Sequence, residues 1–254
     1  MKSKTEFNYN IIWKETIGST NTFVLENQNI LNDKTIIATL NQTKGRGTKK
    51  RIFKSIPQKT LAFSILLKEI NLSELIKIPI MTAVCFVKTL KEFSINNCKI
   101  KWFNDILIEN KKIAGILCES KILKNKANIV IGVGVNLIST KEELNSLNLL
   151  KATSIFSKTN IKIDPQYFLT TFSKNFDNFL KILVKDENNQ NNLIKLYEKS
   201  CQTIGKKIKI FNLKTGEIFF GKALNLTASG HLLVSCNDNL IKLNYNNYSI
   251  EEII

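Results

Sequence analysis

Residues 98–119 read CKIKWFNDILIENKKIAGILCE, and their grouping decides the architecture. Three runs favour extended backbone: Cys98 to Trp102, Asp105 to Ile108, and Lys112 to Glu119. Glu109-Asn110-Lys111 joins the last two and is the size of a hairpin connection. Downstream, Asn128 to Asn136 is strongly β, with Gly132 and Gly134 alternating with Ile and Val. Glycines so placed mark a strand that a ligand or another backbone approaches closely. Upstream, Asn10 to Thr16, Lys34 to Leu40 and Leu61 to Leu67 also read as strands. Ser19-Thr20-Asn21 supplies capping side chains for an amphipathic run, Thr22 to Gln28. Pro79 to Phe93 repeats apolar residues on a helical period, with the proline in the first turn. Two further helices are expected over Pro165 to Val184 and Asn191 to Cys201.

From Gly205 the texture changes. Lys206 to Phe211, Glu217 to Leu226, His231 to Ser235 and Asn239 to Asn244 are short strands parted by turn signals, among them Asn237-Asp238-Asn239. The expectation is an α+β protein: a mixed-sheet domain over residues 1–203, and a small SH3-like β-barrel over 204–254.

The chain of 254 residues is 43% hydrophobic, enough for a sizeable core. Its net charge of +16 suggests an anionic partner, but the excess is lysine scattered along the chain rather than gathered in a patch. Five cysteines form no CxxC pair, and Met1-Lys2-Ser3-Lys4 does not open a signal peptide, so a reducing cytosol is expected. No apolar run is long enough to span a bilayer. One histidine, His231, excludes multi-histidine metal sites and weighs against a Ser-His-Asp mechanism. The chemistry must rest on Lys, Arg, Asp, backbone amides and a metal carried by the substrate.

Of 37 basic residues only two are arginine, Arg46 and Arg51, and both lie in one loop, residues 42–51, QTKGRGTKKR. Arginine offers a planar fork that matches phosphate or carboxylate oxygens two at a time, which lysine cannot do. Gly45 and Gly47 flank Arg46 and let the backbone come close to a ligand. The loop is expected to close over an anion, against the alternative of a basic surface turn. Lys101, Asn104, Asp105 and Lys112 would cluster at strand ends near the hairpin, against the alternative of ordinary turn chemistry.

These segments together resemble the biotin–protein ligase family. Gly45-Arg46-Gly47 with Gln42 before it matches the family loop; Lys101 to Asp105 matches Lys-Trp-Pro-Asn-Asp; Lys112 to Leu117 matches Lys-Leu-Ala-Gly-Ile-Leu. Gly132 to Asn136, Ser19-Thr20-Asn21 and Ala152-Thr153-Ser154 match three further motifs in the same order. The resemblance implies an ATP-dependent ligase that makes biotinyl-5′-AMP with Mg²⁺ held by the nucleotide. It then transfers biotin to a lysine of a carboxylase's biotin carboxyl carrier domain, docked partly by strand addition. It implies Ser19, Thr20, Asn21, Gln42, Gly45, Arg46, Gly47, Lys112 and Gly115 around biotin. It implies Arg46, Lys101, Asn104 and Asn136 on the nucleotide side, and Lys112, Arg46 and Asp105 as the catalytic set. Lys112 would be the cation between carboxylate and α-phosphate, and Asp105 would orient or deprotonate the acceptor amine. Trp102 is expected in the core, and Arg51 is either a second phosphate ligand or a basic loop residue.

Three positions depart from the family. Thr48 stands where a basic residue is usual, Lys50 where glycine is usual, and Phe103 where proline is usual. Looser closure over the adenylate and altered packing at Phe103 are expected. Ser19 falls near the chain start, so no DNA-binding domain and no operator binding are expected. A cytoplasmic enzyme with no membrane partner is expected, and a homodimer is left open. The competing readings are a lipoate or octanoate ligase or transferase of the same fold, and a basic nucleic-acid-binding protein. The first lacks its Arg-Arg-x-x-Gly-Gly loop here; the second lacks aromatic residues interleaved with the basic ones.

Overall fold

The computed structural model describes residues 9–253 apart from 186 and 238. The readings made of Met1 to Lys4 and of Asp238 fall outside them. The larger sheet has seven strands: β1 (Asn10–Trp13), β2 (Thr35–Thr39), β3 (Thr60–Asn71), β4 (Cys98–Lys101), β5 (Asp105–Ile108), β6 (Lys111–Leu123) and β7 (Lys126–Asn136). Their order is β1-β2-β3-β7-β6-β5-β4. Only β1 and β2 run parallel; every other neighbouring pair is antiparallel, so the sheet is mixed as expected. The β5–β6 connection is tighter than the three residues expected. Glu109 and Asn110 alone make the turn, both at positive φ (49° and 61°), the conformation a two-residue hairpin demands.

One face of the sheet carries the long helices α3 (Ile78–Glu92), α6 (Pro165–Lys185) and α7 (Glu187–Ser200); a short helix, α2 (Leu72–Leu75), precedes α3. Phe168, Phe172 and Phe176 recur every fourth residue on α6, so they share one face and stack in sequence. Phe172 meets Phe63 of β3 edge-on, with centroids 5.1 Å apart, which binds helix layer to sheet. The other face carries α1 (Thr20–Asn27), whose Val24 packs on Ile37, Leu66 and Val130. Eight successive residues of β3, Thr60 to Leu67, are buried because the strand is covered on both faces. Two short helices, α4 (Lys141–Ser146) and α5 (Ile155–Thr159), were not expected from the sequence. Each is announced by a capping side chain, Thr140 and Ser154, but is too short to show an apolar period.

The second sheet is antiparallel: β8 (Lys207–Asn212), β9 (Ile218–Leu226), β10 (Leu232–Cys236), β11 (Asn239–Leu243) and β12 (Tyr248–Glu252), in the order β11-β10-β9-β8-β12. Four strands were expected; β12 is the fifth. Tyr-Ser-Ile-Glu-Glu is intermediate or exposed throughout and shows no clean alternation, which hid it. Among the described residues no pairing joins β11 to β12, so the barrel is left open along that seam. Phe103 stacks on Tyr245 at 4.3 Å, so the residue standing where proline is usual packs the hairpin region onto the link between β11 and β12. The Glu252 carboxylate accepts from Gln202 Nε2, Thr203 Oγ1 and Lys206 Nζ at the same junction.

Candidate active site

A cavity of about 230 Å³ opens between α1, the loop after β2, the β5–β6 hairpin and β12. Its lining includes Ser19, Thr20, Asn21, Gln42, Arg46 and Gly47. Lys101, Asn104, Asp105, Lys112 and Gly115 line it as well. The structure thus brings together eleven of the thirteen residues singled out from the sequence.

Ser19 caps α1, its Oγ accepting from the Thr22 amide at 3.4 Å, and this sets Thr20 and Asn21 at the helix start, facing the sheet. Both are buried, 3% and 4% exposed, and every polar atom there must find a partner. Gln42 Oε1 accepts from the Thr20 amide at 3.0 Å, so Gln42 belongs to the site rather than to the surface. Ser64 Oγ lies 2.7 Å from Thr20 Oγ1 and 2.5 Å from Asn21 Oδ1. Sequence reasoning passed over Ser64 because a lone serine in an apolar strand carries no motif. Gly132 is explained by Asn21: a Cβ on Gly132 would collide with the Asn21 amide. Gly134 likewise leaves room for the Phe53 ring.

The Gly-Arg loop is a compact hairpin. The Gly47 amide donates to Arg51 O at 2.8 Å and the Phe53 amide to Gly45 O at 3.0 Å. A Cβ on Gly45 would strike the Phe53 carbonyl, so this glycine serves loop closure and does not itself line the cavity. Lys49 and Lys50 sit at φ 58° and 59°. The position where the family has glycine is therefore one that needs left-handed backbone here, and Lys50 supplies it at a cost.

Asn136 departs from its assignment. It is buried, its Oδ1 taking the Thr60 hydroxyl and its Nδ2 donating to Thr153 O at 3.1 Å, and it does not line the cavity. Its amide is consumed in tying β7 to β3 and to the Ala152-Thr153-Ser154 segment. Asn104 also spends its Nδ2, on Ile116 O at 2.7 Å, but remains in the lining. Trp102 is only 6% exposed, as a core residue would be, and it lines the cavity too.

Arg46, Lys49, Arg51, Lys101 and Lys112 face the cavity against one carboxylate, Asp105. Burial, and then the neighbouring Arg51 charge, hold the Lys49 amine below its usual pKa. An anion would relieve that crowding. Two carboxylates pair with these cations: Asp105 Oδ1 lies 2.5 Å from Lys112 Nζ, and Glu119 Oε1 lies 2.6 Å from Arg46 Nη2. Glu119 was not among the expected site residues, although it ends the strand expected over Lys112 to Glu119 and lies within β6. Among the described residues no three of His, Cys, Asp or Glu converge as metal ligands.

The fold and cavity define a class: an α+β protein that places a polar buried subsite beside a cluster of cations beneath a Gly-Arg hairpin. Residues 13–136 match the biotin/lipoate A/B protein ligase family. The chain is 27% identical over 215 residues to the bifunctional ligase/repressor BirA of Bacillus subtilis, covering 82% of this chain and 64% of that protein. It is 26% identical over 239 residues to biotin–protein ligase 2 of Arabidopsis thaliana, covering 91% and 71%. Biotin protein ligase from Aquifex aeolicus in complex with biotin and ATP superposes with a TM-score of 0.78 at 23% identity, covering 96% of this chain and 99% of that one. The similarity to that family runs through residues 13–136, just under half of the chain.

Proposed function

We propose that the protein joins biotin to ATP, giving biotinyl-5′-AMP and pyrophosphate, and passes the biotinyl group to a lysine of a biotin carboxyl carrier domain. The observation that carries this reading is the cavity's division into two halves. One half is a hydrogen-bonding floor of buried Thr20 and Asn21 with half-buried Gln42, backed from behind by Ser64, and it suits a ureido ring. The other half holds the cations that bring a carboxylate and a phosphate together.

The biotin carboxylate attacks the α-phosphorus and pyrophosphate leaves. Lys112 serves as the cation that neutralises both anions, since a preorganised cation is worth most where charge develops in the transition state. Arg46 presents its fork to the phosphate once the Glu119 contact gives way. In the second half-reaction the acceptor amine attacks the biotinyl carbonyl and AMP leaves. Asp105, a third exposed beside Lys112, takes the amine's proton in this reading. On this reading Mg²⁺ comes with the nucleotide's phosphates as part of the substrate.

The acceptor is a carboxylase carrier domain, and the enzyme works in the cytoplasm. Five free cysteines fit a reducing compartment, and among the described residues no helix is long and apolar enough to cross a membrane. Operator binding has no support in the diffuse lysine distribution. ATP–pyrophosphate exchange with biotin, lipoate and octanoate, without acceptor, tests the reading. Exchange with biotin alone is expected, and exchange with lipoate instead would move the chain to the lipoate branch.

A further inference from the structure

We infer that Glu119 is a specificity-determining positioning residue that fixes which way the hydrogen bonds of the pocket floor run. The inference rests on the biotin reading above and concerns a residue to which that reading gives no binding role. Glu119 lies on β6 with its side chain 24% exposed. Its two oxygens are divided between the two halves of the site. Oε1 takes Arg46 Nη2 at 2.6 Å, and Oε2 takes Asn21 Nδ2 at 3.0 Å.

A carboxylate paired with a guanidinium can only accept. Leu117 O, 3.2 Å from the same Asn21 nitrogen, can only accept as well. The Asn21 amide must therefore turn its NH₂ toward β6 and its carbonyl toward Ser64. Ser64 has a single proton, and the 2.5 Å contact with Asn21 Oδ1 consumes it. Across the 2.7 Å contact with Thr20, Ser64 must then accept. The Thr20 hydroxyl proton therefore goes to Ser64, and Gln42 Oε1 takes the Thr20 amide at 3.0 Å. With its proton so spent, Thr20 Oγ1 has only lone pairs left to offer the cavity that Thr20 lines. A floor so poled binds N–H groups. A ureido ring has two of them; a dithiolane or an alkyl chain has none. Selectivity of this kind is strong because a ligand lacking the donors leaves buried acceptors unpaired. The single negative charge at Glu119 thereby sets a polarity felt two side chains away. The same carboxylate holds Arg46 over the cavity before a phosphate arrives.

Glu119→Gln removes the constraint, since a glutamine amide can present either end and let Asn21 turn over. The experiment is pyrophosphate exchange by wild type, Glu119→Gln, Glu119→Asp and Ser64→Ala, with biotin and with lipoate. For Glu119→Gln we expect the KM for biotin to rise about tenfold or more, as an unpaired buried polar group implies. The kcat should stay within a few-fold, and the preference for biotin over lipoate should shrink. Glu119→Asp keeps an acceptor and should recover part of the KM. Ser64→Ala combined with Glu119→Gln should cost no more than the larger single change, because both break one chain. A biotin KM in Glu119→Gln equal to wild type, in folded enzyme, overturns the inference. So does an equal loss in kcat with KM unchanged. Silence of the wild type with biotin would instead overturn the proposed function itself.

Discussion

Lys112 and Asp105 face each other across the β5–β6 pair, Nζ to Oδ1 at 2.5 Å, with each side chain about a third exposed. Gly115 makes the arrangement possible: a Cβ there would stand 2.9 Å from Lys112 Nζ and 3.7 Å from Asp105 Oδ1. A pair this exposed contributes on the order of 0–1 kcal/mol to stability, so its purpose is sought in the reaction. Lys112→Ala should cut adenylate formation by about 10²-fold or more while the protein keeps its thermal midpoint within a few degrees. Asp105→Asn should spare pyrophosphate exchange and slow transfer to the carrier domain. Single-turnover measurements of the two half-reactions separate these outcomes; equal losses in both steps from Asp105→Asn would remove its assignment to the second.

Arg46 tests whether fork geometry matters or charge alone. Its guanidinium already uses two nitrogens, Nη2 on Glu119 and Nη1 on Thr22 Oγ1 at 3.4 Å. Lysine has a compact ammonium and cannot hold two separated acceptors in one plane. Arg46→Lys should raise the KM for ATP and hasten loss of biotinyl-AMP from the enzyme. Nucleotide binding and turnover indistinguishable from wild type would show that positive charge suffices.

What could be read from the sequence depended on how local its cause is. Strand and helix limits along β3 to β7 and α3 follow from apolar period and from turn residues, and the sequence reading placed them within a few residues. The clustering of Ser19, Gln42, Arg46, Asp105 and Lys112 was legible because each belongs to a short motif. Ser64, Glu119 and β12 were not. Ser64 matters because it lies opposite Gly132 on the neighbouring strand, a pairing of residues 68 positions apart that no local pattern encodes. Glu119 read as one polar residue at a strand end. Asn136 erred the other way: its motif suggested ligand contact, but its register against Thr60 turns both ends of its amide inward.

Lys50 bears on retention of the intermediate. A non-glycine residue in left-handed backbone costs roughly 1–2 kcal/mol. Glycine would remove that cost but adds about 0.5–1 kcal/mol of flexibility to the open loop. The net gain for the closed form lies between about 0 and 1.5 kcal/mol, and its midpoint is roughly threefold to fourfold in an equilibrium. Lys50→Gly should therefore slow release of biotinyl-AMP by roughly twofold to fivefold. A chase of labelled adenylate from the purified complex measures it directly, and faster release from the variant would show that loop entropy outweighs the relieved backbone.

Glu252 ties β12 to the segment from Gln202 to Lys206 in a way that depends on pH. Burial pushes its carboxyl up, but hydrogen bonds from Lys206 and Thr203, with the charges of Lys206 and Lys101, outweigh this and hold it below its ordinary value. Thr203 in turn accepts from the Trp102 amide at 3.0 Å, so the contact reaches the wall of the cavity. A carboxylate depressed in the folded state adds stability that is fully present above its unfolded pKa. That stability is lost as pH falls through the folded value. Glu252→Gln should lower the thermal midpoint at neutral pH, and the gap between variant and wild type should close as pH drops below the ordinary carboxylate range. A gap that stays constant from neutral to acid pH would mean that the side chain acts through packing alone. Since Trp102 is the far end of the chain of contacts, a change in adenylate formation following the same acid titration would place β12 among the parts that position the site.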